Sequence, residues 1–101
     1  MKLAIENFAK MKGDKKILML GGMAELGQES ELEHKQLVAL IQSYQWLHVI
    51  LVGAQFKNIH QNYLFFNNAE EARNWFKNQQ IQNSQILIKG SRSIQMEKIL
   101  D

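Results

Sequence analysis

The sequence predicts an α/β fold of the Rossmann-like type, a three-layer α/β/α arrangement around a mostly parallel sheet. Two observations predict it: short apolar runs end in glycine, and segments of helical periodicity separate them. Strands that alternate with helices in this way pack as a parallel sheet with helices on its faces. The 101 residues match the size of one domain, and no linker or internal repeat divides them. We therefore expect residues 1–101 to form a single domain.

Composition excludes several classes of protein. The chain has no cysteine, so disulfides, thiolate zinc sites and a cysteine nucleophile are ruled out. No apolar run approaches the roughly 18–20 residues of a membrane span, and Glu6 comes too early for the apolar region of a signal peptide. The net charge of +2 is a weak argument for nucleic acid. We expect a cytoplasmic protein with no membrane or nucleic-acid partner.

Periodicity and turn residues define the elements of the first half of the chain. In order, we expect a helix over 1–11, a strand over Lys16–Leu20, a loop over 21–28, a helix from Ser30 and a strand over Trp46–Val52. The first helix has its apolar residues at helical spacing, namely Met1, Ala4, Ile5, Phe8 and Met11. The run Lys16–Leu20 is apolar enough to be buried on both faces of a parallel sheet. Ser30 with Glu33 has the spacing of a capping box.

The second half continues the alternation. In order, we expect a short helix over 54–60, a strand over Tyr63–Phe66, a helix after Asn68, a strand over Gln85–Lys89 and a final helix. Asn68 with Glu71 repeats the capping-box spacing. The inward residues of the next helix are Ala69, Ala72, Trp75 and Phe76, and those of the final helix are Met96, Ile99 and Leu100. Ser91 and Ser93 are candidate caps for the final helix.

Candidate binding residues gather where the predicted strands end, which is where open α/β sheets bind ligands. Lys89, Gly90, Ser91 and Arg92 follow the last strand and precede a helix, an arrangement suited to a carboxylate or phosphate. A plain helix cap with surface charges explains the same residues. Glu25 is either a ligand group or a solvated loop carboxylate.

Histidines and aromatic residues give weaker signals. His34 lies near the start of a helix at the same edge, where it either contacts a ligand or packs in the core. His48 and His60 lack partners at metal-ligand spacing, so we expect no metal site. The loop after the first strand is neither GxGxxG nor a P-loop.

Two motifs are more specific in combination than either is alone. Residues 21–30 read Gly-Gly-Met-Ala-Glu-Leu-Gly-Gln-Glu-Ser, His34 follows four residues later, and residues 89–92 read Lys-Gly-Ser-Arg. This combination resembles the C-terminal domain of the Mur ligases that add D-alanyl-D-alanine. Val52-Gly53, Phe65-Phe66 and Met96-Glu97 also match that family in order, so the resemblance extends over nearly the whole chain. One departure is Gly22, where the family pattern has aspartate.

The resemblance carries implications for site residues and partners. It implies that the parent enzyme joins D-alanyl-D-alanine to UDP-N-acetylmuramoyl-tripeptide with ATP and Mg²⁺. It also implies that this domain helps to bind the dipeptide through Lys89, Gly90, Ser91, Arg92, Glu25 and His34, and that no residue here is catalytic. The central ATPase domain of the family, which binds most of the ATP and Mg²⁺, has no counterpart here, so we expect the chain to bind no cofactor and to be inactive alone. A stand-alone Rossmann-like binding or interaction module is the alternative.

The family places a strand before the helix that matches residues 1–11, and the chain lacks that strand. We therefore expect one sheet edge to be exposed. Exposed edges recruit other strands, which predicts self-association or an edge-paired dimer.

Overall fold

The sheet of this protein is parallel throughout, as the alternation of elements predicts. The computed structural model describes residues 2–13, 15–22, 30–60, 62–79, 81, 83–90 and 94–100, without the side chains of residues 30 and 31. The strands are β1 (Lys16–Gly21), β2 (His48–Val52), β3 (Leu64–Phe66) and β4 (Gln85–Lys89). They form a four-stranded sheet in the order β3-β2-β1-β4, and every neighbouring pair is parallel.

Strand β1 lies inside the sheet and is buried along its whole length. Its residue Met19 is in register with Ile50 of β2 and with Ile88 of β4. A strand with a neighbour on each side and a helical layer on each face has no solvent-exposed face, which explains the continuous apolar run of β1.

Helices cover both faces of this sheet. The α-helices are α1 (Lys2–Lys10), α2 (Ser30–Gln42) and α3 (Ala69–Lys77), and two 3₁₀ helices span Ala54–Phe56 and Met96–Leu100. One face packs against α1 and α2 in a core that includes Ile5, Leu18, Ile41, Leu51 and Phe56. The other face packs against α3 and the last 3₁₀ helix in a core that includes Ile17, Met19, Val52, Ala72 and Ile99. The predicted three-layer arrangement is confirmed. None of the helices in the described ranges combines the length and apolar character that a bilayer crossing requires.

Strand β2 begins at His48, two residues after the predicted start at Trp46. Trp46 instead joins the two helices of its face. Its indole Nε1 donates a hydrogen bond of 2.9 Å to the carbonyl oxygen of Ile41 near the end of α2. Its ring stacks on Phe8 of α1 at a centroid distance of 5.9 Å. The aromatic side chain therefore closes the α1–α2 layer, and the strand starts only after it.

The predicted cap of α3 is confirmed. Asn68 is the N-cap, and its Oδ1 accepts a hydrogen bond of 2.9 Å from the backbone N–H of Glu71. The carboxylate of Glu71 reaches back, but it accepts from the backbone N–H of Asn67 at 3.1 Å, one residue before the cap. The corresponding cap at Ser30 involves a side chain outside the described residues.

Two predicted helices are shorter than expected. The segment 54–60 contains a single 3₁₀ turn, Ala54–Phe56, in which Phe56 fills the core. The final helix is the 3₁₀ helix Met96–Leu100, preceded by Gln95 with a positive φ of 56°. The helix begins only after Gln95, because a left-handed residue cannot belong to a right-handed helix. The candidate caps Ser91 and Ser93 lie outside the described residues.

Two apolar residues do not lie inward as the periodicity predicts. Leu100 is 56% exposed, and Met11 lies beyond the end of α1 and is 51% exposed.

Candidate functional site

The carboxyl ends of β1, β2 and β4 form an edge lined with glycine. Gly21 is the last residue of β1 and Gly22 follows it, Gly53 follows β2 and Gly90 follows β4. The backbone N–H of Gly22 donates to the Val52 carbonyl at 2.9 Å. This is the edge at which open α/β sheets bind ligands.

Gly90 lies in close contact with the end of the neighbouring strand β1. A Cβ at this position would lie 2.9 Å from the Cα and 3.1 Å from the N of Gly21, and 2.9 Å from Cγ of Met96. The backbone that Gly90 approaches is therefore that of the neighbouring strand. A role of Gly90 in binding a ligand remains a prediction.

Gln55 covers Gly22 at the same edge. A Cβ on Gly22 would lie 2.0 Å from Oε1 and 2.4 Å from Cδ of Gln55. The space that the first side-chain atom of residue 22 needs is therefore filled by the carboxamide. The Oε1 of Gln55 is buried and has no hydrogen-bond partner in the described part of the chain.

Of the predicted site residues, the structure describes Lys89, Gly90 and His34. Lys89 is the exposed last residue of β4. Because successive residues of a strand alternate between faces and Leu87 belongs to the α1–α2 core, Lys89 lies on that same side of the sheet. Glu25, Ser91 and Arg92 lie outside the described residues, so their roles stay predictions.

His34 occupies the interior. Its side chain is 0% exposed, and its ring meets that of Phe56 edge-on at a centroid distance of 4.9 Å. The ring therefore packs between α2 and the first 3₁₀ helix. Contact of His34 with a substrate remains a prediction. His48 and His60 pack against Trp75 and Phe65, respectively.

A cleft on the opposite face was not apparent from the sequence. It has a volume of about 580 Å³ and lies between the first turn of α3 and the last 3₁₀ helix. Arg73, Lys98 and Glu70 contribute charges to its wall. Glu70 and Arg73 are one turn apart on α3, but Lys98 lies 25 residues after Arg73, and no motif connects the three.

Candidate metal ligands do not cluster in the described part of the chain. The described residues include no group of three His, Asp or Glu side chains that would hold a metal. The glycines of β1 are also not followed by the Gly-Lys-Ser/Thr of a phosphate-binding loop.

Solved structures of Mur ligases share this fold. Crystal structure I of MurF from Acinetobacter baumannii matches 99% of the chain with a TM-score of 0.76 and 24% identity, covering 24% of that protein. MurF from Thermotoga maritima, solved in complex with ADP, matches 96% of the chain with a TM-score of 0.74 and 22% identity, covering 23% of that protein. These likenesses define the fold as that of a Mur ligase domain.

Sequence comparison identifies the particular family. A UDP-N-acetylmuramoyl-tripeptide–D-alanyl-D-alanine ligase from Rickettsia prowazekii is 36% identical over an alignment 107 positions long, which covers 100% of this chain and 24% of the relative. The same ligase from Buchnera aphidicola is 32% identical, covering 97% of this chain and 22% of the relative. No protein-family model matches the chain. The chain spans about a quarter of the length of these curated relatives. Over its whole length, the chain corresponds to the C-terminal domain of such ligases.

Proposed function

We propose that this chain is the substrate-binding and closing domain of a ligase that joins D-alanyl-D-alanine to UDP-N-acetylmuramoyl-tripeptide. The observation that carries the proposal is sequence similarity along 100% of the chain to a ligase of that name. The matching fold supports it. Because the chain spans about a quarter of such ligases, the reaction requires other parts of the enzyme.

The proposed role of this domain is to bind and orient the dipeptide. Lys89 is exposed at the carboxyl edge of the sheet, where its ammonium group suits the dipeptide carboxylate. In this proposal Gly90, Ser91, Arg92, Glu25 and His34 complete the binding region, and none of them performs the chemical step. Holding one reactant in a productive orientation accelerates a bimolecular condensation.

ATP and Mg²⁺ belong to the reaction of the full-length enzyme in this proposal. In the Mur ligases the central domain binds most of the ATP and Mg²⁺, so we assign the binding of both to the rest of the ligase. The isolated chain is then inactive by itself. We place the reaction in the cytoplasm, in peptidoglycan precursor synthesis.

A titration of the ¹⁵N-labelled chain with D-alanyl-D-alanine tests the dipeptide role. We expect amide shifts at Lys89 and Gly90 that are larger than those caused by L-alanyl-L-alanine. Lys89→Gln should weaken binding, because it removes the positive charge that faces the carboxylate. Lys77→Gln is the matched control, since Lys77 lies in the last turn of α3 and is exposed. Equal responses to the two dipeptides, or none, would contradict a dipeptide site within this chain.

We also propose that the outer edge of β4 pairs with a strand of another copy. Strand β4 is terminal in the sheet order, and residues 85–88 are only partly buried. Connections between parallel strands are right-handed. Because α1 and α2 pack on the same face, a strand leading into α1 would lie on the opposite side of β1 from β2, which is outside β4. A sedimentation coefficient that is independent of concentration and equal to that of a monomer would contradict this pairing.

A further inference from the structure

The carboxamide of Gln55 is an unexplained polar group at the carboxyl edge. Its Oε1 is buried without a hydrogen-bond partner in the described ranges. Burying an acceptor without a partner costs stability, so native proteins pair nearly all of them. Gly22 makes this placement possible, because a Cβ there would lie 2.0 Å from the same oxygen.

We propose that Gln55 Oε1 accepts a hydrogen bond from the α-ammonium group of D-alanyl-D-alanine and so fixes which end of the dipeptide lies over Gly22. This inference rests on the proposed function and adds to it a residue that determines specificity. Gln55 follows β2 by three residues and lies in the 3₁₀ helix Ala54–Phe56.

The placement of Gln55 and Lys89 suits the two ends of a zwitterion. Phe56, the neighbour of Gln55, belongs to the core on the α1–α2 face, and Lys89 lies on that side of β4. The carboxamide of Gln55 lies over Gly22, directly after β1, and β4 is the neighbour of β1 on the side away from β2. One strand spacing amounts to about 5 Å, and an extended dipeptide spans at most about 7 Å. The dipeptide is therefore long enough to reach from the carboxamide to the strand that carries Lys89.

The chemistry favours an ammonium donor at Gln55. Lys89 is a cation and therefore takes the carboxylate end, which leaves the ammonium end beside Gln55. A carbonyl oxygen accepts from an ammonium group, and a bond to a charged donor is stronger than a neutral one. No existing hydrogen bond of Oε1 within the described residues has to break first. The terminal torsion of glutamine has a broad minimum, so the carboxamide turns toward a ligand at little cost.

Affinity measurements with three ligands test the assignment on the whole chain. The ligands are D-alanyl-D-alanine, propionyl-D-alanine, which lacks the ammonium group, and D-alanyl-D-alaninamide, which lacks the carboxylate. For the wild type we expect loss of the ammonium group to raise Kd about tenfold or more, as removal of a charged hydrogen bond does. Gln55→Met keeps the side-chain length without the acceptor. It should bind D-alanyl-D-alanine and propionyl-D-alanine equally, and both weakly.

A second measurement keeps the test independent of how well the variant folds. In the wild type, the side-chain amide signals of Gln55 should shift with D-alanyl-D-alanine and stay unmoved with propionyl-D-alanine. Unchanged affinity of Gln55→Met overturns the assignment, while stereoselective binding by the wild type leaves the proposed function standing. If loss of the carboxylate, rather than of the ammonium, abolishes the Gln55 shift, the orientation is the reverse and the assignment is wrong. If the wild type binds the dipeptide without stereoselectivity, or does not bind it, both proposals are overturned.

Discussion

The side-chain ammonium of Lys16, at the start of β1, donates a hydrogen bond of 2.6 Å to the carbonyl oxygen of Ala9 near the end of α1. It also donates to the carbonyl oxygen of Met11. Lys16 is only 5% exposed. The last carbonyl groups of a helix have no partner within the helix, and they attract positive charge. One lysine therefore caps α1 and connects it to the central strand.

We expect Lys16→Met to lower the free energy of unfolding by about 1–3 kcal/mol, because two part-buried carbonyl groups lose a charged donor. Urea denaturation measures this difference. The control is Lys15→Met, one residue earlier and exposed, which should change stability by less than about 0.5 kcal/mol. Equal losses in the two variants would contradict the capping role.

The sequence was sufficient to predict the order of elements but not the use of Lys16. Periodicity separates helices from strands, and glycine marks the strand ends, so the layers and the parallel sheet follow from local patterns. The burial of a lysine depends on which carbonyl groups its long side chain reaches, and lysine is rarely buried. Trp46 shows the same limit, because its contact with Phe8 joins segments far apart in sequence.

The sequence also predicts where the candidate site lies, but not all of the side chains that form it. Lys89 and Gly90 lie at the predicted edge, since the carboxyl ends of parallel strands meet there. The sequence also identified Gly22 as a departure from the family pattern. It gave no sign of Gln55, because a pattern along the chain does not say which distant side chain fills the space above a glycine.

The cap of α3 gives a second prediction. Asn68→Ala should cost about 1 kcal/mol of stability, because the N–H of Glu71 loses its acceptor. Asn68→Ser should retain most of the stability, since serine also caps well. Asn74→Ala in the interior of the same helix is the matched control and should be neutral or slightly stabilising, as alanine is the better helix former. Thermal unfolding monitored by circular dichroism distinguishes these outcomes, and a loss in Asn74→Ala equal to that in Asn68→Ala would exclude the cap as the cause.

The last prediction concerns two glycines at the carboxyl edge. A Cβ added to either would meet a neighbour, which is backbone in one case and a side chain in the other. At Gly90 the obstacle to a Cβ is the backbone of Gly21, whereas at Gly22 it is mainly the end of the Gln55 side chain. Backbone yields less than a side chain, so Gly90→Ala should cost about 1–3 kcal/mol and Gly22→Ala less. Gln55→Ala removes the unpaired oxygen and the two nearest obstacles at Gly22, Oε1 and Cδ, and leaves only the Cβ of residue 55 at 3.1 Å.

In the Gln55→Ala background, Gly22→Ala should therefore cost less than in the wild type, because the remaining Cβ contact is milder and alanine restricts the unfolded chain. A double-mutant cycle in urea measures this coupling between residues 22 and 55. Gly90→Ala should show no such rescue, because its obstacle remains. Additive effects of Gly22→Ala and Gln55→Ala would mean that the carboxamide does not occupy the space above Gly22, and the ligand-binding role assigned to Gln55 would lose its structural basis.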